Sequence, residues 1–300
     1  MKNRSKIKTS LGSKVFDVFN YTFIGLFCLS VLFPLWNELV MSMLRPEDIS
    51  YVNLNLIPKN PTFDAYLYCF KNPLLWVALR NSVLRTILGT AYHLLVCCMA
   101  AYALTFPDMP FIRPITIIFL ITMFFSGGLI PSYLNMKNLG LLENFLVYII
   151  PGGFSMYNTI IIRNYFFTID KAMRESATID GASTMQTFVY IILPLSTPVL
   201  ATVGLWQMVG QWNAWFDNLI YARSDSLITL QYMLRMITNN LYDMLSEMNN
   251  QSLVAEKAMN FTPDSIVAAT TIIVITPIIC VYPFLQKYFV KGIMLGAVKG

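Results

Sequence analysis

The chain has 300 residues, of which 56% are hydrophobic and only 12% are charged. Soluble domains carry about 25% charged residues, so this composition excludes an ordinary soluble protein and indicates a chain that lies in a lipid bilayer. The formal net charge is +5. This small excess follows from the placement of Lys and Arg described below, and it requires no nucleic-acid partner.

Six segments are transmembrane candidates, because each contains about 18 or more residues with almost no charge. His93 is the only readily ionisable side chain within them. In lipid the backbone must satisfy its own hydrogen bonds, so we predict an all-α polytopic membrane protein with six transmembrane helices. The segments are 18–36, 86–106, 114–136, 144–162, one span inside 195–216, and 265–285.

Lys and Arg are denser near both chain ends and in the loop at 163–194 than in the other connections. Positively charged loops stay in the cytoplasm, so we expect both ends of the chain on the cytoplasmic side. The first apolar segment is too long for a cleaved signal peptide, and no small-residue cleavage pattern follows it. We therefore expect it to remain as a membrane span.

No linker, repeat or low-complexity segment divides the chain. We expect a basic cytoplasmic arm at 1–14 and one transmembrane domain over 15–300. Within that domain the predicted connections are a cytoplasmic loop at 163–194, a short outer connection at 134–143, and outer loops at 43–78 and 221–264.

The cytoplasmic loop contains residues that mark helix boundaries. Thr168 or Asp170 can cap the start of a short helix with a side-chain oxygen. Asp180 and Gly181 can end that helix, because glycine adopts the left-handed conformation found at helix C-termini. A first short helix is therefore predicted between about 170 and 180.

Ser183 or Thr184 can begin a second short helix, and Pro194 and Pro198 break the chain before the fifth span. The predicted apolar face of this helix consists of Phe188, Ile191 and Ile192. We name residues 170–194 the elbow. The residues alone leave two interpretations open: an amphipathic connector on the membrane surface, or an element presented to a partner protein.

The elbow also carries a spaced motif. From position 175 to position 194 it reads Glu-Ser-Ala, three residues, Gly, nine residues, and Ile-Ile-Leu-Pro. This spacing resembles the Glu-Ala-Ala loop of binding-protein-dependent ABC permeases, from which only Ser176 departs in the first triplet. Segments 125–131, 210–216 and 282–292 resemble the carbohydrate-uptake branch of that family, the LplC-like and MalG-like permeases for polysaccharides and oligosaccharides.

The resemblance implies a type I ABC importer permease fold in the bacterial cytoplasmic membrane. It implies that the elbow is a coupling helix that docks on an ATPase, and that the cargo is a sugar, taken here to be an oligosaccharide. The implied partners are a second, non-identical permease subunit, two ATPase subunits, an extracellular or periplasmic solute-binding protein and membrane lipid. The implied ATPase-coupling positions are Glu175, Ser176, Ala177, Asp180 and Gly181.

The chain contains no G-x-x-x-x-G-K-[ST] loop that could hold phosphates. We therefore expect a transport subunit that is not an enzyme and binds no cofactor, with ATP and magnesium on the partner ATPase. No catalytic residue and no metal site are expected, because the five cysteines lack metal-ligand spacing.

The fifth predicted span is rich in amide and tryptophan side chains that suit a neutral sugar. Polar side chains are costly in lipid, so they should face protein or a water-filled cavity. Gln207, Gln211 and Asn218 fall roughly on one helical face. Hydrogen bonds between helices and tryptophans at the membrane interface explain the same residues. The candidate substrate-path residues are Gln207, Gln211, Trp212, Asn213 and Asn218.

Other polar and flexible positions have simpler explanations. His93 could relay a proton, but a hydrogen-bonded packing role is the simpler one. Arg80 and Arg85 are expected to extend to the membrane interface. The glycine pair at 127–128 could hinge a gate, although close helix packing explains it more simply.

Two rival transport functions are weaker. An ABC permease for another solute, such as an amino acid or a phosphonate, would often have fewer spans and lack the Gln-Trp-Asn segment at 211–213. A secondary transporter requires carboxylates or paired charges near the middle of the membrane, and the six segments contain none.

Overall fold

In the computed structural model of the chain, residues 11–49, 56–239 and 261–297 are described. The described part is built from helices and their connections and contains no strand, which confirms the all-α prediction. Most of the basic arm at 1–14, residues 50–55 of one predicted outer loop and residues 240–260 of the other lie outside the described residues.

The helices follow one another in a simple order along the chain. They are α1 (Leu11–Met41), α2 (Asp64–Lys71), α3 (Pro73–Ala103), α4 (Ile112–Phe124), α5 (Leu129–Asn138), α6 (Met156–Phe166), α7 (Lys171–Ile179), α8 (Thr184–Thr187), α9 (Leu193–Leu195), α10 (Thr197–Asn213), α11 (Phe216–Tyr221), α12 (residues 230–239) and α13 (Pro263–Ala297). Short 3-10 turns lie at Pro46–Asp48, Phe145–Tyr148 and Asp225–Leu227, and the π-helical turn Phe188–Ile192 joins α8 to α9.

The described residues fall into two compact units, one drawn from 11–69 and 261–272 and the other from 70–239 and 273–297. In the first unit, most apolar side chains of α1 are exposed, so this helix requires lipid or another protein around it. In the second unit, α3, α6 and α10 pack together. Their core includes Cys98, Tyr102, Ile162, Phe166 and Val203.

Three helical stretches are long and apolar enough to cross a membrane: Gly12–Met41, Pro73–Ala103 and Pro263–Val281. Two more qualify only if each bent pair counts as one span. These pairs are α4 with α5, bent by 119°, and the stretch Thr184–Leu195 with α10, bent by 78°. The described residues thus hold three to five candidate spans by length and composition.

The predicted third span, 114–136, is not one straight helix. It bends between α4 and α5, where Phe125 is extended and Gly128 has a φ of +85°, a conformation that glycine adopts readily. Within the described part of the chain, an added Cβ at Gly128 would meet nothing within 4 Å, and one at Gly127 would meet only the Cβ of Pro131 in α5, at an ordinary 3.9 Å. Tight helix packing at the glycine pair is therefore not seen among the described residues of this chain.

The prediction of a continuous fourth helix over 144–162 is also wrong. Only a 3-10 turn and then α6 form there, because Pro151 lacks a backbone N–H and Gly152 and Gly153 are poor helix formers. Side chains of α3 pack against the interrupted backbone at 151–153. The carbonyl of Gly152 pairs with Nδ1 of His93 at 2.7 Å, and an added carbon at Gly153 would collide with the Tyr92 ring.

The closest approach of α3 to α10 depends on glycine. A Cβ at Gly89 would lie 2.7 Å from Nε2 of Gln211, and one at Gly204 would lie 3.2 Å from Cδ1 of Leu94. Small residues at such crossings let helices approach closely in a membrane. Gly89 therefore provides the space in which the Gln211 carboxamide is held.

The connections predicted on the outer side, at 134–143 and 221–264, meet in the structure. The carboxylate of Glu143 accepts the backbone N–H groups of Arg223 at 2.9 Å and Ser224 at 3.1 Å. The N–H of Glu143 donates to the carbonyl of Tyr221 at 2.9 Å. The segment 221–224 is therefore held against the connection at 134–143 within the second unit.

We expect Gly89→Ala to lower the melting temperature of the purified protein. Helical Gly→Ala changes usually stabilise by about 1 kcal/mol, but the added methyl must displace Gln211, and such overpacking costs about 1–3 kcal/mol. Gly210→Ala in α10 is the matched control, because its Cβ would meet nothing within 4 Å. A melting temperature that rises equally in both variants would show that the crossing is not tight.

We expect the stabilising effect of Glu143 to depend on pH. The N–H groups of Arg223 and Ser224 favour the ionised carboxylate and lower its pKa. A lowered folded-state pKa stabilises the fold above the unfolded-state value, about 4.3, and this stabilisation is lost as pH falls through the folded-state value.

Glu143→Gln should therefore lower the melting temperature at pH 7, and the difference from the native chain should be smaller at pH 3, which is below the unfolded-state value. Glu47→Gln is the control, because within the described ranges Glu47 makes only a 3.9 Å contact with the exposed Arg45. An equal effect of Glu143→Gln at both pH values would rule out the carboxylate as the cause.

Candidate functional site

The first helix of the elbow is α7, and both of its ends are formed as predicted. The side chain of Asp170 accepts a backbone N–H in the first turn at 3.0 Å. At the other end the N–H of Gly181 donates to Thr178 O at 3.1 Å and the N–H of Ala182 donates to Ala177 O at 2.9 Å. This pair of bonds is a Schellman motif, which Gly181 permits through a φ of +81°.

The second helix of the elbow begins at a capping box. The N–H of Gln186 donates to Oγ of Ser183 at 3.3 Å, and the N–H of Ser183 donates to Oε1 of Gln186 at 2.8 Å. The helix passes through the π-helical turn and ends at Ser196, before the 78° bend into α10. Phe188 and Ile192 are buried, so the predicted apolar face packs inward.

The predicted coupling positions differ in exposure. Glu175, Ser176, Asp180 and Gly181 are exposed, while Ala177 is buried within the elbow. The exposed positions cluster at the C-terminal half of α7 and at its cap. The helix that carries this surface is capped at both ends, and the exposed side chains are accessible to a partner protein.

Two of the predicted substrate-path residues are structural. Gln211 is buried; its Oε1 accepts from Nε and Nη2 of Arg85 at 3.3 Å and 3.2 Å, and its Nε2 donates to Tyr148 O at 3.4 Å. Trp212 is buried and donates from Nε1 to Val274 O at 3.1 Å. These contacts join helices to one another, so Gln211 and Trp212 are not free to line a path.

Asn218 does not share a helical face with Gln207 and Gln211, so that prediction is wrong. The helix α10 ends at Asn213, and α11 begins at Phe216 after an extended Ala214. The fully buried Asn218 donates to Ala222 O and accepts from the N–H of Thr229 at 2.8 Å. It stabilises the turn that follows α11.

Gln207 and Asn213 keep the possibility of contact with a solute. Gln207 is half-buried and Asn213 is exposed. Neither has a hydrogen-bond partner within the described ranges. They are the remaining members of the predicted substrate path.

Arg85 was predicted to extend to the membrane interface, and the structure contradicts this. Its side chain is 2% exposed and donates from Nη2 to Oδ2 of Asp217 at 2.5 Å and from Nη1 to Ala214 O at 3.2 Å. Its guanidinium lies 4.5 Å from the centre of the Tyr148 ring. The helix α3 begins at Pro73, well before the predicted span at 86, so Arg85 is inside the helix and must be paired.

A signal for this arrangement was present in the sequence. Arg85, Gly89 and His93 are spaced four residues apart, so they lie on one face of a helix. A polar and small face on an otherwise apolar helix indicates contact with another helix. The partner Asp217 could not be identified from spacing alone.

His93 has the hydrogen-bonded packing role. Trp206 donates from Nε1 to Oδ1 of Asn158 at 3.2 Å, which leaves Nδ2 of Asn158 facing Nε2 of His93 at 2.7 Å. Nε2 then accepts, and Nδ1 donates to Gly152 O. The neutral imidazole thus connects α3 with α6 and, through Trp206, with α10.

Comparison with known proteins places this architecture in a family. The family described as binding-protein-dependent transport system inner membrane component matches residues 8–294. Two similar proteins come from Bacillus subtilis (strain 168). The polygalacturonan/rhamnogalacturonan transport system permease protein YtcP is 33% identical over 291 residues, covering 96% of this chain and 99% of its own. The protein LplC is 35% identical over 289 residues, covering 96% of each.

A solved structure has the same fold. It is the crystal structure of a bacterial ABC transporter involved in the import of the acidic polysaccharide alginate, with a TM-score of 0.83 and 30% identity over 95% of this chain and 100% of that one. The similarity in sequence and in fold extends over nearly the whole chain. The chain therefore belongs to the family of binding-protein-dependent transport system inner membrane components.

Proposed function

We propose that this chain is a permease subunit of an ATP-driven, binding-protein-dependent importer of oligosaccharides, coupled to a separate ATPase through the elbow. The observation that carries the proposal is the capped, exposed elbow in a chain of this family. An ordinary connector does not require a capping box at one helix and a Schellman motif at the other.

The cargo proposed first is an oligosaccharide derived from an acidic polysaccharide. YtcP is named for polygalacturonan and rhamnogalacturonan, and the similar solved structure belongs to an importer of alginate. Other relatives are named for neutral sugars, such as the arabinooligosaccharide permease AraQ, which is 28% identical. The solute is thus a sugar, and transport assays with acidic and neutral oligosaccharides determine whether that sugar is charged.

The proposed topology has six spans, with both ends of the chain in the bacterial cytoplasm. Three spans are α1, α3 and α13, and the bent pairs supply two more. The sixth is the interrupted segment that ends with α6. The density of Lys and Arg supports this orientation, because it places the 163–194 loop in the cytoplasm.

The proposed complex contains a second, non-identical permease, two ATPase subunits that hold ATP and magnesium, and a solute-binding protein outside the membrane. The exposed coupling positions on the elbow contact an ATPase. Closure of the ATPase pair moves the elbow, and the spans attached to it alternate between the two sides of the membrane. Gln207 and Asn213 line the sugar path.

We expect Gly181→Asp to abolish the stimulation of ATP hydrolysis by the sugar-loaded binding protein. Asp at a φ of +81° strains the cap by about 1 kcal/mol and places a carboxylate on the docking surface. The measurement is ATPase activity of the complex reconstituted in lipid, with alginate and galacturonate oligosaccharides as probes.

Gly140→Asp is the matched control for Gly181→Asp. Gly140 has a φ of +67°, and its N–H donates to Lys137 O at 3.0 Å while that of Leu141 donates to Met136 O at 3.0 Å. The same cap is therefore strained at the other end of the unit. If both variants lose stimulation alike, strain and not docking is responsible, and the coupling role of Gly181 is wrong.

We expect Gln207→Ala and Gln211→Ala to act in different ways. Gln207→Ala should lower the transport rate at saturating loaded binding protein without changing the melting temperature, since Gln207 has no partner in the described part of the chain. Gln211→Ala should lower the melting temperature, because losing an acceptor for the buried Arg85 costs about 1–3 kcal/mol. Unchanged transport with Gln207→Ala would remove this residue from the sugar path.

A further inference from the structure

Arg174 lies on the elbow, but its side chain contacts the end of another helix. Its Nη1 donates to Oγ1 of the buried Thr105 at 3.1 Å, just beyond the C-terminus of α3. Its guanidinium carbon lies 5.3 Å from the centre of the Tyr102 ring, in the last turn of α3. Among the described residues, no other side chain of α7 makes a hydrogen bond to a residue outside the elbow. Arg174 is therefore the polar link between α7 and α3.

Tyr102 connects the C-terminal end of α3 to the second helix of the elbow. Its ring stacks on Phe188 with centroids 4.9 Å apart, and its hydroxyl donates to Thr184 O at 3.5 Å. The ring of Phe166 in α6 packs nearly perpendicular to the Tyr102 ring, with centroids 6.4 Å apart. The C-terminal end of α3 thus receives contacts from both helices of the elbow.

The contact made by Arg174 is incomplete. Its second terminal nitrogen, Nη2, is buried and has no hydrogen-bond partner among the described residues. Buried donors are rarely left unpaired, and each one disfavours the arrangement that buries it. The guanidinium can therefore gain a bond if the elbow moves relative to α3, which makes this contact suited to exchange between two states.

A second arginine, Arg163, also binds the C-terminal end of α3, but it belongs to α6 and not to the elbow. Arg163 on α6 donates from Nε to Leu104 O at 2.9 Å. The last carbonyls of a helix carry partial negative charge and lack partners within the helix, so both arginines stabilise the end of α3. Only Arg174 belongs to the elbow.

We propose that Arg174 is the positioning residue through which movement of the elbow reaches α3, an inference that rests on the proposed function. The exposed residues of α7 face the partner, and Arg174 carries the displacement into the membrane domain. The helix α3 transmits it further, since its 31 residues span about 46 Å. Twelve residues after the start of α3, Arg85 binds Asp217 and Gln211, so arginine contacts hold this helix both at its C-terminal end and near its middle.

The test compares Arg174→Gln with Arg163→Gln in the complete reconstituted complex. Each variant removes one charged donor from the end of α3, and only the first removes it from the elbow. The readouts are ATP hydrolysis with and without binding protein loaded with galacturonate or alginate oligosaccharides, sugar transported per ATP hydrolysed, and the melting temperature.

For Arg174→Gln we expect unchanged assembly and basal hydrolysis, with stimulated hydrolysis reduced roughly tenfold, the size of one charge-assisted hydrogen bond. Arg163→Gln should lower the melting temperature about as much as Arg174→Gln does. It should keep the stimulation of ATP hydrolysis by the loaded binding protein. Arg174→Lys should recover part of the stimulation, because it keeps the charge but not the forked geometry.

The outcomes separate the inference from the proposed function. If the native complex is not stimulated by loaded binding protein, the proposed function fails. If the native complex and Arg174→Gln are stimulated equally, or if Arg163→Gln loses stimulation to the same extent, Arg174 has only a structural role. Should Arg174→Gln not assemble, Thr105→Val removes the acceptor instead, and retained stimulation in that variant would overturn the inference.

Discussion

The two ionisable side chains buried along α3, Arg85 and His93, find partners inside the protein, and the arrangement of the second unit depends on these contacts. A polar group in lipid is costly unless it is paired. Arg85 pairs with Asp217 and Gln211, and His93 pairs with Asn158 and Gly152. These contacts determine which helices can lie against α3 and at which positions along its length.

The interrupted helices follow from the same requirement. An interruption leaves backbone carbonyls without partners, which lipid cannot supply. His93 takes the carbonyl of Gly152, and Arg85 takes that of Ala214 where α10 ends. The protein can therefore break its helices within the apolar part of the chain, because side chains of α3 replace the missing backbone donors.

The elbow joins this frame through contacts of a different kind. Phe188 and Ile192 bury apolar surface in the core shared by α3, α6 and α10. This burial attaches the elbow to the core, but apolar contacts do not fix its orientation. Arg174 adds a directed contact at one helix end. An importer subunit requires both properties, since the elbow must remain attached while it changes position.

Local patterns in the sequence determined the helices, the caps of the elbow and the family. Asp170, Ser183 and Gly181 act at helix ends through contacts with residues at most four positions away, so spacing alone was sufficient. The break at 151–153 also has a local sequence signal, a proline followed by two glycines. The prediction of a continuous helix overlooked this signal because the segment is apolar throughout.

Only the tertiary structure decided which polar residues are bound within the protein and which are available. Arg85 and Asp217 are 132 positions apart, and Arg174 and Thr105 are 69 positions apart. Gln207 and Gln211 have the same chemistry and lie about one helical turn apart. Gln211 binds a buried arginine, whereas Gln207 has no hydrogen-bond partner among the residues that the structure describes. Helical spacing defines a face, and what that face meets depends on how distant segments pack.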